Sequence, residues 1–353
     1  MRFLPIHKLE SNMYLARAIY NDDGRVLLNS GVKLNTSYIQ RIRHLGIPGV
    51  YVSMDLLSDF EIPEVISVQT RQNAISQVRG VYESVRIGKT LDMSKINTSV
   101  NAILDEILGS PHILVNLSDI RSYDSYTFAH SVNVCVLSVV LGLKLGLNAL
   151  QLKELAVGAI LHDIGKIAIS DQIILKPGPL TSAELEDVQK HCLYGWQLLR
   201  HHPDISLLSA HVAYQHHERP NGSGYPRKLK EEQISLYGKI VGVSDAYDAM
   251  TSERIYRSGM LPAEALRVIR QLGGIQFSQE VIDCLFECVA PYPVGSLVTL
   301  NSRQVGVVVD INQTERSRPV VRVLYQENGK KTAESFEVDL SKERYLSIVE
   351  VAQ

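Results

Sequence analysis

No apolar run in this chain is long enough to cross a membrane, no two cysteines form a CxxC pair, and charges of opposite sign almost cancel. The longest apolar stretch, Val132–Leu143, is broken by Asn133 and Ser138 and falls short of the roughly 18 residues a span needs. The start, MRFLPIHKLESNMYL, has neither a long apolar core nor a small-residue cleavage site, so it does not read as a signal peptide and the expected location is the cytoplasm. The four cysteines, Cys135, Cys192, Cys284 and Cys288, read as buried, reduced thiols, three of them inside apolar helical patterns. Lys and Arg number 36 against 38 Asp and Glu, a net charge of −2. Such a balance excludes a surface built to bind a nucleic-acid polymer. It leaves room for a small anionic ligand held by two or three well-placed cations. No internal repeat and no low-complexity tract is evident.

What remains is an ordinary folded composition, 45% apolar and 21% charged, over 353 residues. At about 150 residues per domain, that length predicts two or three domains. Residues 1–60 alternate short β-like runs with turn signals around one helical pattern, Ser37–Leu45, and read as a small α/β module with a regulatory or packing role. Residues 61–111 are polar and helical in pattern, a connecting helix or two. From 112 to 290 amphipathic helices follow one another with short loops: Thr127–Leu145, Leu150–Asp163, a helix opened by the capping box Thr181–Glu184 and running through His191 to Leu199, Ile205–His217, Lys239–Thr251, Pro262–Leu272 and Gln279–Val289. From 291 to 353 β-branched runs separated by turns predict a small β unit, a meander or partial barrel. The expected fold is mainly α: a helical bundle flanked by an α/β module and a β unit.

Ligand-type side chains concentrate in the helical region. His162 and Asp163 end an apolar helix in the string LHDIGK. Adjacent helical positions diverge by about 100°, so both reach one ion only near the helix end, or the carboxylate bridges two ions. A helix-terminal imidazole on the dipole, with Asp163 as a solvated cap, is the plain alternative. His216 and His217 follow another helical run and read equally as surface polar residues. His191 lies one turn before Gly195, whose missing side chain leaves space for a large neighbour. His130 opens the long helix, and both it and His191 also read as satisfied core histidines. Asp245 sits among small apolar residues, a costly place for a carboxylate unless it is paired or metal-bound. Taken together, these seven side chains come from five helices or helix ends, as a dinuclear site in a bundle core requires. Imidazole and carboxylate suit Fe, Mn or Zn, and the lack of nearby thiols argues against a structural thiolate zinc site.

The strings HDIGK (162–166), HCLYG (191–195), HHERPNGSGYP (216–226) and DAYDAMTSERIYR (245–257), preceded by YTFAHS (126–131), resemble the HD-GYP family over residues 112 to 290. These are metal-dependent phosphodiesterases of the HD superfamily that cleave the bacterial second messenger cyclic di-GMP. The resemblance implies that His130, His162, Asp163 and Asp245 hold one divalent metal, Fe or Mn, and that Asp163 bridges to a second held by His191, His216 and His217. Tyr126 stands where some members carry a glutamate for a third metal, so two are expected. Lys166, Arg254 and Arg257 match positions near substrate phosphate, and Tyr225 belongs to the Gly-Tyr-Pro signature. The chain departs from the family at Pro220, Asn221 and Ile255, which touches loop geometry and recognition of protein partners through the Gly-Tyr-Pro loop or the N-terminal module.

The implied chemistry is hydrolysis of cyclic di-GMP to pGpG or GMP. Two metals roughly 3.5–4 Å apart generate hydroxide near neutral pH and clamp the phosphate as charge builds. Asp163 anchors both ions. Lys166 donates to the phosphate or the leaving 3′ oxygen, and Arg254 and Arg257 hold phosphate oxygens bidentately. Tyr225 stacks near guanine or packs its own loop. Glu218 and Asp248 orient ligand histidines or form plain salt bridges. Two alternatives stay open: hydrolysis of another cyclic dinucleotide, and an idle cyclic di-GMP sensor or scaffold.

Overall fold

The computed structural model describes residues 2–16, 18–20, 26–45, 47, 49–53, 64–109, 126–176, 178–252, 259–328 and 330–352. Among these, helices dominate the centre and strands the two ends. No helix of the described residues is long and apolar enough to cross a membrane.

At the N-terminus, β1 (Arg2–Pro5) pairs antiparallel with β4 (Gly49–Val52), and β2 (Ile19–Tyr20) with β3 (Val26–Leu28). Helix α1 (Thr36–His44) starts where the Asn35 side chain accepts the Tyr38 N–H. Its buried Ile39 and Ile42 join Leu4, Leu15, Leu34, Val50 and Val52 in a small core. Little of the predicted run Met13–Ile19 forms a strand; Tyr14 and Leu15 make only isolated bridges, to Lys33 and Val52.

The central bundle is built on α4 (Tyr126–Lys144). Its Val132, Val134, Cys135, Val136, Leu137 and Val139 are all sealed from solvent, so the helix is apolar on every side and is enclosed by neighbours rather than lying on a surface. Against it pack α2 (Val68–Arg86), α3 (Met93–Gly109), α5 (Ala149–Ile160), α10 (Leu236–Thr251) and α12 (Gln279–Cys288), while α9 (Leu207–Gln215) packs on α5 and α10, and α11 (Pro262–Gln271) on α10 and α12. The connecting helices α2 and α3 bury Val78, Val81, Ile96, Val100 and Ile103 in the same core. Between α5 and α9 run a 3-10 turn (Ile164–Ala168), the short α6 (Asp171–Ile174), α7 (Ser182–Gln189) and α8 (His191–Leu199). Thr181 and Glu184 close the expected capping box at the start of α7.

Three helices end sooner than their apolar pattern predicts. Helix α5 stops at Ile160, which leaves His162 and Asp163 in the turn before the 3-10 segment. The helix through His191 breaks at Lys190 into α7 and α8. Helix α9 stops at Gln215, just before His216 and His217. One glycine explains how the first two breaks meet. A Cβ on Gly165 would overlap the backbone carbonyl of His191, so only glycine lets the 3-10 segment press on the start of α8. The space expected at Gly195 is filled mainly by α9, because a Cβ there would lie 3.1 Å from Ala213 Cβ and 3.4 Å from the Gly165 amide.

The C-terminal unit is one antiparallel sheet in the order β8-β7-β6-β5-β9. Its strands are β5 (Leu297–Leu300), β6 (Val305–Asp310), β7 (Val320–Tyr325), β8 (Lys331–Asp339) and β9 (Ile348–Ala352). Val298, Leu300, Val308 and Val321 form its core with Leu340 and Leu346.

Candidate metal centre

The three early helix endings have one chemical consequence. A helix that stops leaves carbonyls without an intrahelical donor. At these ends ring nitrogens join the backbone N–H groups on the terminal carbonyls: His162 Nδ1 donates to the Ala159 carbonyl (2.7 Å), His191 Nδ1 to Val188 (2.6 Å) and His216 Nδ1 to Val212 (3.0 Å), the last of which also accepts the His216 N–H (3.0 Å). Val188 is the carbonyl that an unbroken helix would offer to the N–H of Cys192. Each bond fixes the tautomer, with the proton on Nδ1 and the Nε2 lone pair facing inward. His130, on α4, is oriented from another side: its Nδ1 lies 2.6 Å from Asp248 Oδ2.

The inward atoms converge. His130 Nε2 lies 3.2 Å from Asp245 Oδ1 and 3.8 Å from Asp163 Oδ2, and His162 Nε2 lies 3.4 Å from Asp163 Oδ2. On the other face, Asp163 Oδ1 lies 3.4 Å from His191 Nε2 and 3.9 Å from His216 Nε2. The His191 and His216 Nε2 atoms are 3.3 Å apart. His217 Nδ1 reaches 3.9 Å from Asp245 Oδ2. The candidate ligand atoms fall into three groups, each within 4.8 Å: His130, His162 and Asp245; His191, Cys192, His216 and His217; and His162, Asp163 and His216. All seven sequence-predicted ligands are thus brought together, and the third group joins the other two.

The electrostatics favour lone pairs over protons. Burial alone would raise Asp163, but the Lys166 ammonium and the imidazoles of His162 and His191 hold it well below the usual carboxylate range. Asp245 is held down likewise, against burial, chiefly by His130. Burial pushes His191 and His216 down, and His217 down to about 3, so these rings are neutral. His130 is the exception: burial lowers it, but Asp245 and Asp248 on its two nitrogens lift it to about 10. Two buried atoms in the middle, His162 Nε2 and Asp163 Oδ1, have no hydrogen-bond partner. Leaving such atoms unpaired costs about 1–3 kcal/mol each, and a cation on each side of the Asp163 carboxylate would satisfy both. The donor set therefore fits divalent metal.

The surrounding residues divide. Lys166 Nζ sits 2.5 Å from Asp163 Oδ2 with its side chain about one-third exposed (31%). The Tyr225 ring packs at 4.7 Å on that of His217, and burial keeps its phenol protonated. Asp248 orients His130 and is itself held by Asn133 Nδ2 (3.0 Å), whose Oδ1 accepts from Arg71 Nη1 of α2 (3.2 Å). Glu218 does something else: its carboxylate accepts the N–H groups of Arg227 (2.7 Å) and Leu229 (2.8 Å) and so pins the loop that carries Tyr225. At Asn221, Oδ1 accepts from Ser223 N (3.0 Å) and Oγ (2.7 Å), the turn bonds an aspartate would make. Arg254, Ile255 and Arg257 lie outside the described residues, as does the Tyr126 side chain.

Sequence reasoning missed two features. The Arg71–Asn133 chain reaches the site across 62 positions and has no sequence signature. Cys192 Sγ lies 3.5 Å from His191 Nε2, so a thiol does stand beside the imidazoles. The His-Cys pair at 191–192 was its visible signal.

Residues 117–281 match the family model of the HD domain, and residues 297–353 that of a KOW domain associated with HD domain. A cyclic di-GMP phosphodiesterase of Pseudomonas aeruginosa is 36% identical over 269 residues, 76% of this chain and 65% of that protein. One of Thermotoga maritima is 41% identical over 191 residues, 54% of this chain and 50% of its own length. A 3'3'-cGAMP-specific phosphodiesterase of Vibrio cholerae is 37% identical over 146 residues, 41% of this chain and 32% of its own. The chain thus spans between half and just under two thirds of the first two relatives. Among solved structures, Bd1817, a HDG"Y"P protein of Bdellovibrio bacteriovorus, superposes with a TM-score of 0.52 over 80% of this chain and 97% of its own at 18% identity, a likeness of fold.

Proposed function

We propose that this chain, whose residues 117–281 match the HD domain family model, is a metal-dependent phosphodiesterase that hydrolyses cyclic di-GMP. The observation that carries the proposal is the convergence of five imidazoles and two carboxylates on two donor groups, with Asp163 presenting one oxygen to each. His130, His162, Asp163 and Asp245 would hold one ion. His191, His216 and His217 would hold the second, with Asp163 as bridge. Two divalent cations, Fe or Mn, would supply Lewis-acid polarisation of the phosphodiester and a nucleophile from water near neutral pH.

The chain's own residues do the rest. Asp163, buried and ionised, balances cationic charge at the centre. Asp248 holds His130 with its Nε2 inward, and the three capped carbonyls hold His162, His191 and His216 likewise. Lys166, at the exposed edge of the carboxylate, donates to a phosphate oxygen or to the departing ribose 3′ oxygen. Tyr225 flanks the nucleobase from its seat on His217. Arg254 and Arg257 are assigned to phosphate oxygens on sequence grounds. The products are linear pGpG and, after a second cut, GMP. The loop pinned by Glu218 and the N-terminal module are the proposed contacts for protein partners.

The cGAMP-specific relatives in Vibrio cholerae support a second reading, hydrolysis of a mixed cyclic dinucleotide, because phosphate contacts do not read the base. The test is anaerobic loading with Fe(II) or Mn(II), then incubation with cyclic di-GMP or 3′3′-cGAMP and separation of products. Conversion of cyclic di-GMP with the higher kcat/KM is expected. No hydrolysis of cyclic di-GMP, with metal bound, overturns the proposal. Tight binding without turnover marks a sensor.

A further inference from the structure

Cys192 is set apart from the other buried thiols by what its sulfur meets. Cys135 Sγ contacts the Ala156 carbonyl and Cys284 Sγ the Leu141 carbonyl, each at 3.5 Å, the ordinary company of a thiol packed against helix backbone. Cys192 Sγ instead lies 3.5 Å from His191 Nε2, the nitrogen whose lone pair faces the second donor group. Its sulfur, His191, His216 and His217 offer four ligand atoms, all within 4.8 Å of one another. Cys192, His191 and His216 are essentially sealed from solvent, and only His217 touches the outside.

The spacing matches one ion. Tetrahedral coordination with metal–nitrogen bonds of about 2.05 Å and a metal–sulfur bond of about 2.3 Å gives nitrogen–nitrogen edges of about 3.3 Å and nitrogen–sulfur edges of about 3.6 Å. The observed edges are 3.3 Å between His191 and His216 and 3.5 Å between His191 and Cys192. The orphaned Asp163 Oδ1, 3.4 Å from His191 Nε2, faces the same point.

We propose that Cys192 is a thiolate ligand of the second metal, which is held by three imidazoles and one sulfur as a tetrahedral set, with Asp163, shared from the first, expanding it to five. The inference rests on the two-ion reading above and goes beyond it in donor chemistry. On binding, a metal–sulfur bond forms and the thiol proton leaves to solvent. A sulfur donor makes this position softer than the all-nitrogen-and-oxygen position beside it. It should therefore favour Zn(II), Fe(II) or Co(II) over Mn(II), while the first position discriminates less.

Cobalt reports the ligand directly. The full chain is stripped, reloaded with Co(II) under argon and assayed for cobalt content. Visible d–d bands report binding, and a near-ultraviolet band reports sulfur-to-cobalt charge transfer. The charge-transfer band is expected in the wild-type protein and in Cys288→Ser, and should be lost in Cys192→Ser while the d–d bands persist. Cobalt bound without that band in the wild type, or a band unchanged in Cys192→Ser, overturns the thiolate ligand and leaves the two-ion reading standing. No bound cobalt overturns both. X-ray absorption of the zinc-loaded wild type needs no variant. One sulfur at about 2.3 Å per two zincs is expected, and a shell without sulfur refutes the assignment.

Discussion

Asp248→Asn isolates the outer contact that aims His130. Both carboxylate oxygens of Asp248 accept, one from His130 Nδ1 at 2.6 Å and one from Asn133 Nδ2 at 3.0 Å. Asparagine keeps the shape but offers one acceptor and one donor, so one of the two contacts must be lost. Asn133 cannot flip to compensate, because its own oxygen already accepts from Arg71. The bond to His130 is charge-assisted and buried, worth about 1.5–3 kcal/mol. At about 1.36 kcal/mol per decade that is roughly 10- to 150-fold in affinity for the first ion. Asp248 also favours the proton that keeps His130 near 10, so its removal relieves proton competition. A dication carries twice that charge and loses more, so weaker binding is the net outcome. Competition against a fluorescent chelator measures it. The variant should hold the second ion as the wild type does and lose the first at limiting metal. Wild-type affinity for both ions would refute the reasoning.

Other outcomes follow from the same geometry. Asp163→Ala should lose both ions and all hydrolysis, since each donor group loses its shared oxygen. Elemental analysis finding two ions per chain in that variant would show that the bridge lies elsewhere. Gly165→Ala places a methyl on the His191 carbonyl, and should cost about 1–3 kcal/mol in chemical denaturation and weaken metal retention together. Glu184 is held at about 2, below its ordinary 4.5, first by the Lys176 hydrogen bond and then by the Thr181 N–H. Its folded pKa is depressed, so its contribution is complete above 4.5 and fades as pH falls toward 2. The Tm difference between wild type and Glu184→Gln should therefore shrink across that interval, and a constant difference would contradict the capping role.

The helices were legible because their apolar spacing and caps are local signals, and Thr181–Glu184 is the clearest case. Their ends were less so. An apolar pattern runs straight through Leu161 and Lys190, and the breaks there are set by Gly165 docking on α8, a tertiary contact. Strands β1 and β9 were not visible: the first is four residues ending in proline, and the second is fixed by pairing with β5 some fifty positions earlier (about one antiparallel ladder, by register). The seven ligand-type side chains stood out as strings that a bundle core does not otherwise tolerate. What held each ring did not stand out. Nothing in the sequence ties Val188 to His191 Nδ1, nor Arg71 to Asn133, nor Glu218 to a loop nine residues on. Cys192 is the buried, free thiol its pattern suggests, but the imidazole against its sulfur was not legible, because helical packing describes a buried thiol equally well with or without one.

Anomalous diffraction from crystals of the Mn(II)-loaded protein, grown without oxygen, tests the central claim most directly. The account predicts two manganese peaks roughly 3.5–4 Å apart, one on each side of the Asp163 carboxylate, with the His162 and His191 Nε2 atoms on opposite ions. A single peak, or peaks that leave the Asp163 oxygens without metal, would contradict it.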